Sequence, residues 1–316
     1  MVTVHDFDGA ALRAVAEQLA AEAAQFVRVR RREVFGAGRP DPDDAAVQSK
    51  STRTDPVTVV DTETERLLRE RLACLRPGES VLGEEGGGPR HDPVTWVLDP
   101  IDGTVNFVYA IPAYAVSVAA QVDGVSVAGA VADVTAGRVY SAGLGLGAHV
   151  VDATGTREAL HCNTVDDLSM ALVGTGFGYS PQRRAAQAAV LAGLLPHVRD
   201  VRRIGSAALD LCMVAAGRLD AHYEHGLKIW DWAAGALIAG EAGAQVHLPR
   251  SDGPALTVAA APGVAGGLRD LLERLGAGDE LPETSDLLER LGAGDELPET
   301  SDLLERLGAG DELPDT

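Results

Sequence analysis

The chain has little cysteine, no long apolar run and little positive charge, and each scarcity excludes a class of protein. Its three cysteines, Cys74, Cys162 and Cys212, are odd in number and widely separated, which favours reduced thiols over a disulfide framework. No apolar stretch approaches the ~20 residues of a membrane-spanning helix. Because residues 1–10 carry acids where a secretory signal carries basic residues, the sequence predicts a cytoplasmic protein with no membrane partner.

Positive charge is outnumbered: 27 Lys and Arg face 47 Asp and Glu, which gives a net charge of −20 at pH 7. Nucleic-acid binding depends on basic contacts to phosphates, so this balance predicts no nucleic-acid partner. Much of the charge comes from a repeat with a period of 16 residues, which begins at Asp270, Asp286 and Asp302. Residues 270–316 hold 15 acids and 3 arginines and so account for −12 of the total. Each unit has one short apolar turn followed by Gly and Pro, which predicts a tail rather than a solenoid.

The sequence Asp-Pro-Ile-Asp-Gly-Thr at 99–104 combines two carboxylates with turn-forming residues. It follows an apolar, β-rich stretch at 94–98 that is typical of a buried strand. Pro100 cannot donate to a sheet ladder, so we expect the strand to stop there. Asp102 to Thr104 is typical of a helix start, whose free N–H groups suit an anion. Acids beside such a helix start predict a divalent cation that binds between the carboxylates and a phosphate. The alternative is an ordinary turn, since Asp-Pro and Asp-Gly are common turn formers.

Two further segments each place an acid at the end of an element. Residues 80–86 predict a short strand that ends in Glu84 and Glu85, and residues 229–242 predict a helix with Asp231 near its N-terminus. Three element ends therefore offer carboxylates. Hard oxygen ligands favour Mg²⁺ over Zn²⁺, which prefers Cys and His.

These blocks carry a resemblance to a known family. The matching segments are Gly83 to Glu85, residues 96–107, Trp230 with Asp231, and an Asp-x-Val-Thr-x-x-Asp pattern at 55–61. In their order and spacing they resemble the inositol monophosphatase family of Mg²⁺-dependent, lithium-sensitive phosphomonoesterases, and its SuhB-type bacterial branch most closely. The resemblance runs from about residue 10 to about residue 265.

The resemblance implies a site with two to three Mg²⁺ ions. It implies that Glu84, Asp99 and the Ile101 carbonyl hold the first ion, that Asp99, Asp102 and Asp231 hold the second, and that Glu84 helps to place a weaker third. Such ions neutralise the charge of a phosphate ester and lower the pKa of a bound water. Attack is then expected to be direct and in line at phosphorus, with no phosphoenzyme.

The resemblance also implies which residues act on the water and the substrate. Glu84 and Thr104, with Asp61 behind Thr104, are expected to orient and deprotonate the attacking water. Substrate contacts are expected from Glu84, Ile101, Asp102, Gly103, Thr104, Gly205, Ser206, Ala207, Glu224 and Asp231. Glu224 matches the family's acid that binds inositol hydroxyls. The alternative interpretation is a solvated acid at a strand end, which is the more common environment of a glutamate. Its spacing of seven residues before Asp231 favours the functional reading.

The sequence therefore predicts an inositol-phosphate phosphatase, and the substrate expected first is myo-inositol 1-phosphate. The alternatives are a related phosphatase for fructose 1,6-bisphosphate, histidinol phosphate or 3′-phosphoadenosine phosphate, and a regulatory protein that binds the transcription machinery. The intact acids at Glu84, Asp99, Asp102 and Asp231 argue against a purely non-catalytic role.

The predicted elements and the resemblance together indicate an α/β protein. Helical patterns cover 8–35, a segment from Asp61, 183–195, 205–216, 231–243 and 263–275. Strand patterns cover 80–84, 94–99, 113–122, 125–134, 137–142, 169–175, 200–204, 219–223, 244–248 and 256–260. The glycine-rich stretch at 143–147 is expected to connect two strands of a hairpin rather than to bind a dinucleotide.

The resemblance implies a layered α-β-α-β-α sandwich of the inositol monophosphatase/fructose-1,6-bisphosphatase type. We expect residues 1–275 to form the catalytic domain, with halves at about 1–150 and 151–275 that share one site. Residues 276–316 are expected to form the acidic tail. Family members are commonly homodimers, so the resemblance also implies a homodimer.

Overall fold

The computed structural model describes residues 7–36, 38, 46–50, 56–89, 93–249 and 255–277. Its α-helices are α1 (Gly9–Phe35), α2 (Val59–Leu75), α3 (Thr104–Tyr109), α4 (Pro181–Leu194), α5 (Ala207–Ala215), α6 (Ile229–Glu241) and α7 (Pro262–Arg274). Its strands are β1 (Val47–Ser49), β2 (Pro56–Thr58), β3 (Ser80–Gly83), β4 (Val94–Asp102), β5 (Ala115–Val122), β6 (Val125–Asp133), β7 (Arg138–Gly143), β8 (Ala148–Val151), β9 (Arg157–Ala159), β10 (Leu172–Thr175), β11 (Asp200–Arg202), β12 (Ala221–His225), β13 (Gln245–His247) and β14 (Leu256–Ala260).

Two sheets organise the molecule. The larger has seven strands in the order β3-β4-β5-β6-β7-β8-β9, and only its β3–β4 pair is parallel. The smaller has five strands in the order β11-β10-β12-β14-β13, in which β10 pairs in parallel with both β11 and β12. A separate pair, β1 with β2, lies just before α2.

The helices form three layers around these sheets. Helices α1 and α2 bury their apolar faces against one face of the seven-stranded sheet. Helices α5 and α6 lie between the two sheets and pack against both. Helices α4 and α7 cover the far face of the five-stranded sheet. The expected α-β-α-β-α order is therefore confirmed, and each sheet is buried on both faces, as its nearly continuous apolar strands require.

Helix α1 shows how local sequence fixes these elements. The Asp8 side chain caps its start by accepting a hydrogen bond from the Ala11 N–H at 3.0 Å, and Gly36, with φ of 65°, ends it. Between them, Leu12, Ala16 and Leu19 are among the residues that recur at helical spacing and are buried against the sheet. The small alanines allow the long helix to lie close to the strands.

The expected stop at Pro100 is wrong. Strand β4 runs through Pro100 to Asp102, but its pairing with β5 shifts between Asp99, which faces Ser117, and Asp102, which faces Ala115. Two residues of β4 thus lie opposite one residue of β5, which is a β-bulge. Pro100 is tolerated because it falls where the regular ladder is interrupted. The bulge directs the carboxylates at both of its ends toward the site.

Several short elements were not expected from the sequence. These are β1, β2 and β9, each of three residues. The hairpin expected around 143–147 is confirmed, because residues 144–147 connect β7 to its antiparallel partner β8. The expected acidic tail lies outside the described residues from position 278 onward. Among the described residues, no helix has both the length and the apolar character needed to cross a bilayer.

Candidate active site

A cavity of about 530 Å³ lies where the ends of β4, α5, α6 and β12 meet. It is lined by every residue that the resemblance assigns to the site except Asp61: Glu84, Asp99, Ile101, Asp102, Gly103, Thr104, Gly205, Ser206, Ala207, Glu224 and Asp231. Residues from both halves of the chain therefore contribute to one cavity. Asp61 is completely buried and lies behind Thr104.

Three carboxylates converge at one end of this cavity. Asp99 and Asp102 come from the bulge of β4, and Asp231 comes from the first turn of α6. Each offers an oxygen that lies within 4.8 Å of an oxygen from both of the others. The Ile101 N–H donates to Asp99 Oδ1 at 3.0 Å, and the Lys228 N–H donates to Asp231 Oδ2 at 2.6 Å. Backbone groups thus fix the direction of two of the three acids.

Asp102 is held from the other half of the chain. Its Oδ2 accepts hydrogen bonds from the Ser206 hydroxyl at 2.5 Å and from the Ala208 N–H at 2.8 Å. Ser206 is the N-cap of α5, and its Oγ also accepts from the Leu209 N–H at 3.3 Å. The start of α5 therefore both orients Asp102 and opens toward the cavity.

Glu84 follows β3 and is paired with a lysine. The Lys50 ammonium donates to Glu84 Oε1 at 2.7 Å and to Glu85 Oε1 at 2.6 Å. The backbone at Glu85 is held by Glu65, because the Glu85 N–H donates to Glu65 Oε2 at 2.8 Å. Lys50 precedes the matching segment at 55–61 in the sequence, and the structure places it at the cavity beside these acids.

Thr104 and Asp61 form a buried hydroxyl–carboxyl pair. The Thr104 hydroxyl has two acceptors, Asp61 Oδ1 at 3.1 Å and the Ile101 carbonyl at 3.0 Å. Asp61 Oδ2 accepts from the Thr58 N–H at 2.9 Å and from the Thr58 hydroxyl at 2.5 Å, in the capping box of α2. Asp61 is thus fixed by its own helix and presents its second oxygen to Thr104.

Position 103 requires a glycine because of its backbone conformation and its close contacts. Its φ is 95°, a left-handed conformation that favours glycine, and a Cβ would lie 3.0 Å from the carbonyl oxygens of Ala113 and Gly205. The bare Cα therefore allows the segment that contains Gly205 to pack directly against the start of α3.

The clustered acids have strongly perturbed pKa values. Burial, followed by the charges of Glu84, Asp102 and other neighbouring acids, raises the pKa values of Asp99 and Asp231 well above their usual range. Burial also raises the pKa of Asp102 to about 6, although hydrogen bonds from Ser206 and Ala208 oppose the shift. It raises the pKa of Asp61 to about 7. Like charges held this close are unfavourable without a cation between them.

This donor set fits a hard divalent cation. Carboxylate oxygens from three elements share a buried cluster, and neither cysteine nor histidine belongs to that group. A cation placed there relieves the mutual repulsion of the acids and replaces the water that they lose on burial. The cluster could therefore hold metal, and the acids lie in the cavity rather than on an ordinary turn.

The opposite end of the cavity is formed by β12 and its neighbours. Glu224 lies on β12 with its side chain 13% exposed, and its carboxyl group packs against Gly176, where a Cβ would lie 2.1 Å from Oε2. Burial raises the pKa of Glu224 to about 8, and the Arg203 charge opposes that shift. Glu224 is thus a largely buried acid that faces the cavity, rather than a solvated acid at a strand end.

The charged residues Asp210, Arg203 and Arg183 are among the cavity residues that were not singled out from the sequence. Asp210 lies on α5, Arg203 follows β11, and Arg183 lies in the first turn of α4, where a Cβ on Gly226 would meet its guanidinium at 2.3 Å. Asp210 had a signal, since it is an acid within an otherwise apolar helical pattern. The arginines had none, because arginine is common throughout this chain.

Residues 8–278 match the family model described as the inositol monophosphatase family. The chain belongs to this family. The resemblance drawn from residues 83–85, 96–107 and 230–231 is therefore confirmed, and the phosphatase interpretation of the acids at the end of β4 gains independent support.

Individual relatives agree. The protein named inositol-1-monophosphatase in Mycobacterium leprae is 69% identical over 283 residues, 86% of this chain and 97% of its own. The solved structure of Mycobacterium tuberculosis SuhB is 62% identical, with a TM-score of 0.74 over 86% of this chain and 99% of that one. A structure described as inositol monophosphate bound SaIMPase-II is 26% identical, with a TM-score of 0.66 over 90% of this chain and 100% of its own.

Proposed function

We propose that the protein hydrolyses myo-inositol 1-phosphate to myo-inositol and phosphate in a Mg²⁺-dependent reaction. The observation that carries the proposal is the meeting of Asp99, Asp102 and Asp231 within 4.8 Å, in a cavity whose opposite end presents Glu224. The name of the Mycobacterium leprae relative and the inositol monophosphate bound to the SaIMPase-II structure support this choice of substrate.

The acids, together with the Ile101 carbonyl, have proposed roles as metal ligands. Glu84, Asp99 and Ile101 would hold one Mg²⁺ ion, Asp99, Asp102 and Asp231 a second, and Glu84 a third, weaker one. When bound, these ions supply charge neutralisation at the phosphate and lower the pKa of a coordinated water. The pKa values of Asp99 and Asp231 are raised by burial and by neighbouring acids, and this supports the assignment, because a cation between these carboxylates would stabilise their ionised forms.

Thr104 and Asp61 have proposed roles in moving the proton of the attacking water. The Thr104 hydroxyl would accept that proton at Oγ while donating its own to Asp61 Oδ1, to which it is already 3.1 Å away. The pKa of Asp61, raised by burial to about 7, suits a group that takes up a proton near neutral pH. Glu84 would orient the same water, and the Gly103 and Thr104 N–H groups would contact the phosphate.

Glu224 and the segment Gly205, Ser206 and Ala207 have proposed roles in binding the polyol. Glu224 can accept hydrogen bonds from hydroxyl groups, and the start of α5 offers backbone groups at the same cavity. A phosphorylated polyol would then lie with its ester at the three acids and its hydroxyls toward β12.

Phosphate release from a panel of esters tests the proposal. The panel contains myo-inositol 1-phosphate, fructose 1,6-bisphosphate, histidinol phosphate and 3′-phosphoadenosine phosphate, each with Mg²⁺ and with a chelator. We expect turnover to require Mg²⁺ and kcat/KM to be highest for myo-inositol 1-phosphate. Negligible activity on that ester, with turnover of another, selects one of the alternatives. Failure to hydrolyse any ester with Mg²⁺ favours the regulatory alternative, which binding to the transcription machinery would then test.

The remaining sequence-based expectations are part of this proposal. We propose a lithium-sensitive, cytoplasmic homodimer with a catalytic domain at 1–275 and an acidic tail at 276–316. Deletion of residues 286–316 is expected to leave turnover intact, and a large loss of kcat in the truncated protein would overturn that division of the chain.

A further inference from the structure

A group of buried polar side chains lies on the face of the five-stranded sheet that looks toward α5. It consists of the buried Asp210 on α5, His222 on β12 and Thr257 on β14, together with the partly buried Glu224 on β12, and we call it the β12 polar cluster. His222 and Glu224 share this face because they are two residues apart on one strand. Thr257 faces Glu224 directly in the β12–β14 ladder. Of these residues, Asp210 and Glu224 line the cavity.

His222 lies between two carboxyl groups from different elements. Its Nδ1 is 3.6 Å from Asp210 Oδ2, and its Nε2 is 3.7 Å from Glu224 Oε2. The imidazole is completely buried, and within the described residues neither ring nitrogen has a hydrogen-bond partner. A buried polar group without a partner is destabilising, so a hydrogen bond to either carboxyl group would be favourable. Each gap is too short for a bridging water and closes to a hydrogen bond with a movement of less than about 1 Å.

One glycine on the neighbouring strand β10, Gly174, and one just after it, Gly176, leave room for this arrangement. A Cβ on Gly174 would lie 3.2 Å from His222 Nδ1 and 3.4 Å from Asp210 Oδ1, and a Cβ on Gly176 would lie 2.1 Å from Glu224 Oε2. Backbone rather than side chain therefore walls the cluster along β10. Within the cluster, the His222 side chain faces Glu224 Oε2.

The proton content of the cluster agrees with this geometry. Burial lowers the pKa of His222 to about 3 and raises the pKa of Glu224 to about 8 and that of Asp210 well above its usual range. A neutral imidazole has one donor and one acceptor nitrogen. It can therefore accept a hydrogen bond from one protonated carboxyl group and donate to the other, which satisfies both ring nitrogens.

We propose that His222 is a positioning residue that ties Glu224 to Asp210 and so fixes the direction in which the Glu224 carboxyl group meets the substrate's hydroxyls. His222 does not itself line the cavity, so its effect passes through Glu224. The inference rests on the proposed function, because it assumes a hydroxyl-bearing substrate at that end of the cavity. It concerns recognition of the polyol alone, since the three acids at β4 and α6 are proposed to hold the metal ions that bind the phosphate.

The test compares two phosphate esters in the Mg²⁺-loaded enzyme. His222→Phe keeps an aromatic ring at this position but removes both nitrogens. We expect it to raise KM for myo-inositol 1-phosphate about tenfold while kcat and KM for phenyl phosphate, which has no hydroxyl to recognise, stay unchanged. Equal losses on both esters would show a merely structural role, and no effect on either would show no role; both results overturn the proposal.

Rescue of KM by a second substitution at His222, and a double variant with Glu224, distinguish the positioning role from a merely structural one. His222→Gln carries an amide to the position of Nε2, toward Glu224, and is expected to restore the KM. His222→Asn carries it only to the position of Nδ1, toward Asp210, and is expected to leave KM high. In a Glu224→Gln background, His222→Phe should add no further rise, because the two changes act on one interaction. An additive effect, or equal behaviour of the Gln and Asn variants, contradicts the proposal.

A matched control lies on the same strand. Tyr223 points to the opposite face of β12, into the core beneath α4 and α7, so Tyr223→Phe disturbs the strand without touching the cluster. It should leave both KM values unchanged, and thermal melting should show all variants folded. The parent enzyme separates the two claims: a parent inactive on myo-inositol 1-phosphate overturns the proposed function, whereas an active parent with an unaffected His222→Phe overturns the positioning role alone.

Discussion

The Ser206 hydroxyl donates to Asp102 Oδ2 at 2.5 Å and thereby joins the start of α5 to the end of β4. The two residues are 104 positions apart, so this contact ties the two halves of the chain together at the acids. Because the Ala208 N–H donates to the same oxygen, the Asp102 carboxylate is fixed in direction before any ligand arrives. Orientation of a metal ligand by such a partner typically changes affinity by 10–100-fold.

Ser206→Ala is therefore expected to weaken Mg²⁺ binding about tenfold. It also removes the N-cap of α5, at a cost of about 1 kcal/mol in the free energy of unfolding. Calorimetric titration with Mg²⁺ and thermal melting measure the two effects. Asp8→Ala removes the cap of α1, away from the cavity, and should lower stability without changing Mg²⁺ affinity. Equal Mg²⁺ affinity in the Ser206 variant and the parent would contradict the positioning of Asp102.

Asp99→Asn is expected to abolish turnover and weaken metal binding while leaving the fold near normal. Asp99 lies among Glu84, Asp102 and Asp231. Burial raises its pKa most, and the charges of these three acids raise it further. Removal of one acid from this group relieves repulsion, so the metal-free variant should melt no lower than the metal-free parent. Phosphate release and melting in a chelator check both statements. Full activity in the variant would show that the metal assignment is wrong.

Thr104→Val removes the hydroxyl that links Asp61 to the Ile101 carbonyl and keeps the side chain's shape. If Thr104 passes a proton from the attacking water, kcat should fall by about 10²–10⁴ while Mg²⁺ affinity changes little. The matched control is Thr135→Val, since the exposed Thr135 hydroxyl bonds to Asp133 and the Pro112 carbonyl on the surface. A kcat for the Thr104 variant equal to that of this control would exclude the proton-transfer role.

Metal-free stability should decrease with rising pH. The folded pKa values of Glu224, about 8, and Asp61, about 7, are higher than those of the unfolded chain, where such acids titrate near pH ~4. Their contribution is complete below that pH and is lost as the pH rises through the folded pKa values. Urea unfolding in a chelator should therefore give a free energy that falls between about pH 5 and pH 8. Glu224→Gln should flatten this dependence, and an unchanged slope would contradict the burial of Glu224 as an acid.

The sequence was enough to predict the elements whose signals are local and long. Helix α1 has a cap and a continuous apolar stripe, and β4 begins with a mostly apolar, β-rich stretch, so the helix and the start of the strand were expected near their observed positions. The acids at 84, 99, 102 and 231 were found because each lies at the end of such an element. Pro100 misled the strand boundary because a bulge, which depends on pairing with β5, removes the need for its missing N–H.

The rest depends on contacts that sequence spacing does not show. Strands β8 and β9 are short and are held by a ladder to their neighbours rather than by a strong apolar pattern. Asp210 and His222 lie on different elements, and their meeting follows from how α5 packs on β12. Arg203 looks ordinary until the end of β11 brings it to the cavity.

Diffraction from crystals soaked in Mn²⁺ tests the proposed metal site directly, because the anomalous signal of Mn²⁺ locates bound ions. We expect at least one anomalous peak bounded by the carboxylates of Asp99, Asp102 and Asp231, absent in crystals of the Asp99→Asn variant soaked in the same way. Crystals of the parent protein with no peak between these three side chains, at Mn²⁺ concentrations that support turnover, would exclude this metal site.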